Sequence, residues 1–361
     1  MTDSLDQIRI EIDAIDDQIA ALLQQRAQCA ERVGHVKKHD PNPIYYRPER
    51  EAQIIRRVTS RDDLVMPKES VERIFREIIS SCLGMERPLS IAYLGPAGTF
   101  SEEAVRKHFG GAVDAVAHSD IESIFKSVES GQCQYAMVPV ENSTGGTITD
   151  TLDQLMDTSL KICGERYLRI HQNLCGNIDD VSQITKVYSH ESSLKQCRNW
   201  LAANLPGVST VPVRSNAEAA RLAAQEAGAA AVCGAVAAEQ YGLAIKVEKI
   251  EDRSDNTTRF WVIGDQVTKP SGSDKTSLLA IAPHKTGALF SLLQPLAELG
   301  LNMTRIESRP TPKGMWEYAF FIDIEGHASE ARIESAIERL KDVSAHLRVL
   351  GAYPSAISKD D

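Results

Sequence analysis

The 361-residue chain lacks several features that would assign it to a special class. It has no apolar run of about 18 residues, the length that a transmembrane helix needs. Its polar, acidic start, Met1–Asp6, is unlike a secretory signal. Its seven cysteines are scattered and form no C-x-x-C pair, which favours a reducing, cytoplasmic setting. A net charge of −10 argues against general nucleic-acid binding, so we expect neither nucleic acid nor membrane as a partner.

The composition is that of an ordinary globular chain, and its length predicts two or three domains. Residues 1–88 have helical periodicity, and prolines at positions 41, 48 and 67 divide them into three helices. The first helix carries a heptad seam, a row of apolar residues spaced by three and four, which favours pairing with a second helix. The seam consists of Leu5, Ile8, Ile12, Ile15, Ile19 and Leu22. We therefore predict a dimerising all-α domain.

Two further domains are predicted after residue 88. In residues 89–267, short apolar runs alternate with helical stretches, which predicts an α/β domain with largely parallel strands. The segment from Val267 to Asp274 has the composition of a linker. Residues 275–361 follow the order βαββαβ, which is that of a ferredoxin-like α+β domain. The chain is therefore expected to be multidomain.

Polar residues follow several predicted strands of the central domain, where open α/β sheets bind ligands. The most informative stretch is Asp255-Asn256-Thr257-Thr258-Arg259-Phe260, because its two adjacent hydroxyls and its arginine can hold a small carboxylate. Turns with similar polar residues contain Thr99, the pair Glu141-Asn142, and Ser189-His190 followed by Gln196. Taken singly, these groups could equally be tight turns or helix caps. We interpret His190 as a cap or core residue rather than a catalytic base.

In this order, the central motifs resemble those of prephenate dehydratases. The resemblance implies two periplasmic-binding-protein-like lobes with the active site in the cleft between them. Thr258 would lie closest to catalysis and donate a proton to the departing hydroxyl. Arg259 would anchor a substrate carboxylate, or instead be a structural ion-pair partner of Asp255 or Glu141. The residues implied to line the cleft are Thr99, Glu141, Asn142, Ser189, Gln196, Arg259 and Phe260.

The first 87 or so residues resemble a chorismate mutase. The resemblance implies that arginines clamp the substrate carboxylates, a lysine faces the ether oxygen and a glutamate binds the ring hydroxyl. The corresponding residues are Arg9, Arg26 and Arg50, then Lys37, then Glu51. Two positions depart from the family pattern, because Glu86 replaces the usual glutamine and Arg47 replaces a common acidic residue. We include Glu86 among the candidate catalytic residues.

The spacing of two of these arginines adds an independent argument. Arg9 and Arg26 are 17 residues apart, which is about 25 Å along one helix. Chorismate is too small to bridge that distance. If both arginines serve one site, Arg9 must come from a second subunit, so we predict a homodimer or a higher homo-oligomer.

The C-terminal segment resembles an ACT domain that binds phenylalanine. One matching motif is Gly287-Ala288-Leu289 at the start of a helix, and the other is Glu307-Ser308-Arg309-Pro310 at the end of a strand. A glycine at a helix start lets a ligand carboxylate approach the backbone amides. Locally, the same residues could be only a helix start and an edge-strand proline. Because both motifs match, we favour an allosteric site.

The resemblances together cover nearly the whole chain. They imply an enzyme of phenylalanine biosynthesis that rearranges chorismate to prephenate, converts prephenate to phenylpyruvate, and is inhibited by phenylalanine. Neither reaction needs a cofactor, and His35 and His39 lack a third ligand, so we assign no metal. Two alternatives stay open, namely an arogenate dehydratase and a non-catalytic amino-acid sensor.

Overall fold

The N-terminal segment forms three helices in the computed structural model, which describes residues 4–41, 43–311 and 318–357. They are α1 (Leu5–Lys37), α2 (Pro48–Thr59) and α3 (Lys68–Glu86). The predicted breaks at the prolines are therefore correct, although Asn42 in the first break lies outside the described residues. The side chain of Ser4 accepts a hydrogen bond from the Gln7 amide and caps α1.

The heptad seam of α1 lies in solvent. Its six apolar side chains are 43–66% exposed, whereas Ala30 and Gly34 near the other end of the helix are buried. Such a row of exposed leucine and isoleucine side chains does not stabilise a single subunit in water. Among the residues that the structure describes, none covers this apolar face of the N-terminal half of α1.

The first lobe of the central domain is built on a mixed sheet. Its strand order is β2 (Asp114–His118), β1 (Ser90–Leu94), β3 (Tyr135–Asn142), β11 (Thr257–Gly264) and β5 (Lys161–Arg169), and the short β4 (Gly146–Thr147) pairs with β3. Helices α4 (Phe100–Phe109), α5 (Ile121–Glu129) and α6 (Thr149–Asp157) connect these strands. The prediction of parallel strands holds for β1, β2 and β3, but β11 is antiparallel to both of its neighbours. It runs the opposite way because it returns the chain from the second lobe.

The second lobe is inserted between β5 and β11. Its sheet has the order β10 (Ile245–Val247), β6 (Asn173–Cys175), β9 (Ala229–Cys233), β7 (Lys186–His190) and β8 (Ser209–Val213). Its helices are α7 (Glu191–Gln196), α8 (Arg198–Asn204), α9 (Asn216–Gln225) and α10 (Ala235–Gln240), with a 3-10 turn at Val181–Gln183. Two chain crossings join the lobes, one after β5 and one before β11. The predicted division of the central domain into two lobes is thus confirmed.

The C-terminal domain has the predicted βαββαβ order. The elements are β12 (Asp274–Ala282), α11 (Ala288–Glu298), β13 (Met303–Pro310), β14 (Tyr318–Glu325), α12 (Ala331–Val343) and β15 (His346–Pro354). The predicted start of β14 at Glu317 lies outside the described residues. The sheet order is β13-β14-β12-β15, and all neighbours are antiparallel. One face of the sheet packs on the two helices, and the other shares a hydrophobic core with the first lobe through Trp261, Leu279 and Phe321.

The three domains meet at one junction. The guanidinium of Arg56 in α2 donates to Ser271 Oγ at 2.9 Å, to the Ser273 carbonyl at 2.8 Å and to the Ser355 carbonyl at 3.1 Å. A single side chain of the helical domain therefore holds both the linker and the C-terminal segment. Within the described ranges, no helix combines the length and apolarity needed to cross a membrane.

Candidate active sites

A cavity of about 480 Å³ lies between the three N-terminal helices. It brings together five of the six residues predicted for mutase chemistry. The sixth, Arg9, does not line it. The predicted residues at its wall are Arg26, Lys37, Arg50, Glu51 and Glu86, and Tyr45 and Arg47 also line it. Four of these side chains are cationic, so the cavity suits an anionic ligand.

Lys37 and Glu86 form the shortest contact in this cavity. Lys37 Nζ lies 2.7 Å from Glu86 Oε2, and both side chains are mostly buried. The same ammonium donates to the Tyr45 carbonyl at 3.2 Å and lies 5.2 Å from the Tyr45 ring centre. Glu86, which replaces the usual glutamine of the family, thus brings its carboxylate into direct contact with the predicted catalytic lysine. Tyr45 is a contact that the sequence pattern did not suggest.

Glu51 lies where the cavity meets the junction between the domains. Burial raises the pKa of its carboxyl to about 7, against opposing effects of Arg76 and Arg26 and with a further increase from Glu49. Its neutral form is therefore favoured to a higher pH than that of an ordinary glutamate. The second departure, Arg47, turns its guanidinium toward Glu49 at 3.6 Å and also lines the cavity.

Arg9 and Arg26 lie on the same uninterrupted helix, as the distance argument assumed. Arg26 Nη1 donates to the Ile78 carbonyl at 3.1 Å and so lies against α3. Arg9 is exposed and its nearest charged partner is Asp6, at 3.4 Å on the same helix. Within one subunit, Arg9 contributes nothing to the cavity.

In the central domain, a group of amides and hydroxyls lies where β3 ends and β11 begins. Asn142 Nδ2 donates to Thr258 Oγ1 and to Asn256 Oδ1, each at 2.9 Å. Thr258 is buried, and its strand neighbour across the ladder is Asn142. The predicted residues Asn142 and Thr258 therefore adjoin, and the strand register fixes their contact.

The same group spans the cleft. Gln196, on α7 of the second lobe, donates to Thr144 Oγ1 at 3.2 Å and accepts from Asn256 Nδ2 at 3.0 Å. The two lobes are thus joined directly beside Thr258. Asn256 was not among the predicted site residues, although it lies inside the stretch from Asp255 to Phe260.

Arg259 points away from this group. Its guanidinium is buried and lies 2.7 Å from Glu165 and 2.6 Å from Asp323 of the C-terminal domain. The interpretation of Arg259 as a carboxylate anchor in the cleft therefore does not fit its position. The alternative, a structural ion pair, fits, but with partners other than the suggested Asp255 and Glu141.

The remaining cleft candidates lie in different surroundings. Ser189 is fully buried and donates to the Val232 carbonyl at 2.7 Å, and Thr99 donates to the Leu94 carbonyl at 3.0 Å. Phe260 belongs to the core of the first lobe, where it is 1% exposed. Glu141 lies 3.4 Å from Arg305 of the C-terminal domain. The side chain of His190 caps α7, in agreement with its interpretation as a cap.

The two ACT motifs also divide between two surroundings. Gly287 has a φ of 76°, a left-handed conformation that favours glycine, and it precedes the exposed Leu289 at the start of α11. On β13, the next element along the chain, Ser308 is exposed. Glu307 instead accepts from Thr147 Oγ1 at 2.6 Å, and Arg309 forms an ion pair with Asp153 at 2.6 Å. Half of the second motif therefore contacts the central domain directly.

Comparisons with known proteins match each part of the chain to a family. The models described as "Chorismate mutase type II", "Prephenate dehydratase" and "ACT domain" match residues 8–87, 91–268 and 276–342. A relative named bifunctional chorismate mutase/prephenate dehydratase, from Neisseria gonorrhoeae, is 48% identical over 99% of this chain and 100% of its own length.

Two solved structures resemble the chain over 74% of its length. One is a prephenate dehydratase in complex with L-Phe from Arthrobacter aurescens, with 34% identity, a TM-score of 0.68 and 90% of its chain covered. The other is described as GqqA, a novel type of quorum quenching acylase, with 28% identity, a TM-score of 0.69 and 98% of its chain covered.

The helical cavity, the two-lobed cleft and the βαββαβ module define a multidomain enzyme with a regulatory domain. The chain belongs to the family of bifunctional chorismate mutase/prephenate dehydratases.

Proposed function

We propose that chorismate rearranges to prephenate in the cavity of the N-terminal helices. The observation that carries this proposal is the convergence of Arg26, Lys37, Arg50 and Glu51 on one 480 Å³ space. The reaction is unimolecular, so orientation and preorganised positive charge are enough to accelerate it. Glu86 holds the ammonium of Lys37 at 2.7 Å. Substrate must therefore share that ammonium with a carboxylate that the usual glutamine would not supply.

The cavity is completed by a second copy of the chain. Arg9 of each subunit would enter the cavity of the other, because it lies too far along α1 to reach its own. The exposed seam supplies the apolar face for that pairing. The active form is thus a homodimer or a larger homo-oligomer, located in the cytoplasm.

Prephenate is then converted to phenylpyruvate in the cleft beside Thr258. Loss of carbon dioxide and of the ring hydroxyl is driven by aromatisation, so the enzyme needs a proton donor at the hydroxyl and groups that position the ring. Thr258 is the donor, and Asn142 orients it through the 2.9 Å hydrogen bond. Gln196 and Asn256 close the cleft across the lobes. The carboxylate anchor is not Arg259, because its guanidinium is already bound by two buried carboxylates.

Phenylalanine binds through the start of α11 and the end of β13. The left-handed Gly287 opens the backbone there, and Ser308 lies on the exposed side of the neighbouring strand. A second ACT domain could pack against the exposed Leu289 and Phe290 beside this site and pair with β13 at the edge of the sheet. We therefore place the effector between two subunits.

A product analysis tests the division of labour. The chain and its Lys37→Ala and Thr258→Ala variants are incubated with chorismate, and phenylpyruvate is read by ultraviolet absorbance in base. Prephenate is read in a parallel sample after acid converts it to phenylpyruvate. We expect Lys37→Ala to leave chorismate unchanged and Thr258→Ala to accumulate prephenate. Phenylpyruvate formation by Thr258→Ala at the original rate contradicts the proposed dehydratase site.

A further inference from the structure

The two central strands of the first lobe present different residues to their two faces. In the antiparallel ladder between β3 and β11, Thr258 pairs with Asn142, and the next pair is Arg259 with Glu141. Successive side chains of a strand point to opposite faces. One pair therefore lies in the cleft, while the adjacent pair faces the ACT sheet. The ladder is also irregular directly after Arg259, so the strand is locally bent at this point.

Arg259 is held in a closed set of buried charges drawn from both domains. Its Nη1 lies 2.6 Å from Asp323 on β14, and its Nη2 donates to the Tyr353 hydroxyl on β15 at 3.2 Å. Glu165 on β5 takes up the remaining guanidinium edge and also binds Lys275 at 2.7 Å. Two cations and two carboxylates thus balance. The sequence separations between these residues explain why no local motif suggested them.

The ACT side of the cluster is itself fixed. Asp323 Oδ1 accepts from Ser277 Oγ at 2.5 Å, and Ser277 Oγ also lies 2.7 Å from the Tyr353 hydroxyl. These three residues belong to three neighbouring strands of the ACT sheet. The sheet therefore holds Arg259 as one rigid unit. A shift of the sheet must either carry Arg259 with it or leave a buried guanidinium without its carboxylate, which is strongly unfavourable.

A second contact acts on the partner strand. Glu141, the ladder neighbour of Arg259, lies 3.4 Å from Arg305 on β13. Two positions farther along β13, Glu307 accepts from Thr147 on β4, which pairs with β3. The ACT sheet thus holds both strands that carry the cleft residues, one residue away from Asn142 and Thr258 in each case.

We propose that Arg259 is a positioning residue through which the ACT sheet sets the place of Thr258 in the cleft. Asp323 and Tyr353 hold Arg259, and the adjoining peptide unit passes that constraint to the hydroxyl. Phenylalanine then inhibits by shifting the sheet, because the effector must act through different affinities for two arrangements of the cleft. The inference rests on the proposed role of Thr258 in catalysis.

The test separates turnover, substrate binding and effector binding. Asp323→Asn removes the charge opposite Arg259 at nearly constant shape, Asp323→Glu restores the charge, and Tyr353→Phe removes only the hydroxyl contact. Arg348→Gln is the matched control, because Arg348 also joins the ACT domain to the first lobe, through the carbonyls of Leu155 and Thr158. Each variant is assayed for dehydratase kcat and KM, for mutase activity, and for phenylalanine binding by calorimetry.

We expect Asp323→Asn to lower dehydratase kcat by about tenfold or more with KM nearly unchanged, since small misplacements of a catalytic group are costly. Tyr353→Phe should have a smaller effect in the same direction, and Asp323→Glu should recover part of the loss. In both weakened variants phenylalanine should still bind but inhibit less. Mutase activity should be unchanged, which excludes general unfolding.

Several results would overturn the proposal. Unchanged kcat and full inhibition in Tyr353→Phe would do so even if Asp323→Asn fails to fold. An equal loss in Arg348→Gln would indicate a general effect of the domain interface. Thr258→Ala is assayed in parallel, because full dehydratase turnover in that variant refutes the catalytic role of Thr258 itself. A loss in Thr258→Ala with none in the Arg259-cluster variants refutes only the coupling.

Discussion

If the exposed seam of α1 is the subunit contact, as we propose, mutase activity should require dimerisation. We expect Ile15→Asp to convert the protein to monomers and to abolish the mutase reaction while sparing the dehydratase reaction at low phenylalanine. Ile15 is 54% exposed in the single subunit and sits in the middle of the seam. A carboxylate at this position would have to be buried without a partner on pairing. Dimers should therefore form only when the charge is absent.

The size of the effect follows from the exposed fractions. Fully burying an isoleucine side chain contributes about 1.5–3 kcal/mol, so burying the exposed half contributes about 1 kcal/mol. The six seam residues of each of two helices then contribute about 12 kcal/mol before the entropic cost of association. Ile15→Ala removes about 2 kcal/mol from a symmetric dimer, which weakens association about 30-fold. Ile15→Asp should weaken it much further.

The assay is sedimentation velocity across a protein dilution series, with mutase activity read at each concentration. Specific mutase activity should fall with dilution in Ile15→Ala, at a midpoint that matches the dissociation. Ile10 provides the matched control, because it is 68% exposed but lies off the seam, so Ile10→Asp should stay dimeric and active. If Ile15→Asp remains dimeric with full mutase activity, the seam is not the subunit contact and the reasoning fails.

Three further predictions concern the individual sites. Arg9→Ala and Arg26→Ala should each be mutase-inactive, and subunit exchange between them should restore part of the activity, whereas no recovery after verified exchange argues against shared sites. The KM for chorismate should rise above about pH 7, because Glu51 then loses its proton and its negative charge lies beside a dianionic substrate. In Glu51→Gln, a plot of KM against pH should lack this rise. Two variants, Gly287→Val and Ser308→Ala, should raise the phenylalanine concentration needed for half-inhibition and leave the uninhibited turnover unchanged. Valine is strained at the φ of 76° that Gly287 adopts. If both variants keep their sensitivity to phenylalanine, the effector binds elsewhere.

Local patterns in the sequence predicted most of the architecture. The heptad spacing of α1, the helix breaks at Pro48 and Pro67, and the βαββαβ order each depend on residues close together in the chain. The antiparallel course of β11 was missed, because it depends on where the chain re-enters the first lobe. Alternation of helices and strands predicts an α/β domain but does not show which strand returns from an inserted lobe.

The surroundings of Arg259 could not be predicted from the sequence alone. Its partners are Glu165, Asp323 and Tyr353, which lie 64 to 94 positions away and come from a different domain in two cases. One signal was nevertheless available. Neighbouring residues of a strand point to opposite faces, so Thr258 and Arg259 could not both face one cleft once the strand began at Thr257. Thr258 and Arg259 belong to one sequence motif, but the strand geometry places their side chains on opposite faces of the sheet.

The junction at Arg56 has a consequence for dividing this chain into single-activity fragments. A dehydratase fragment starting near residue 89 would lose the guanidinium that ties the linker at Ser271 and Ser273 to the tail at Ser355. It would also uncover His108, whose buried ring is bound by the hydroxyl of Tyr46 at 2.8 Å. Such a fragment would therefore expose to solvent the surface that the helical domain covers in the full chain. A free-standing dehydratase would need compensating polar residues at this surface. The packing of the central and C-terminal domains therefore depends on the helical domain to which they are fused.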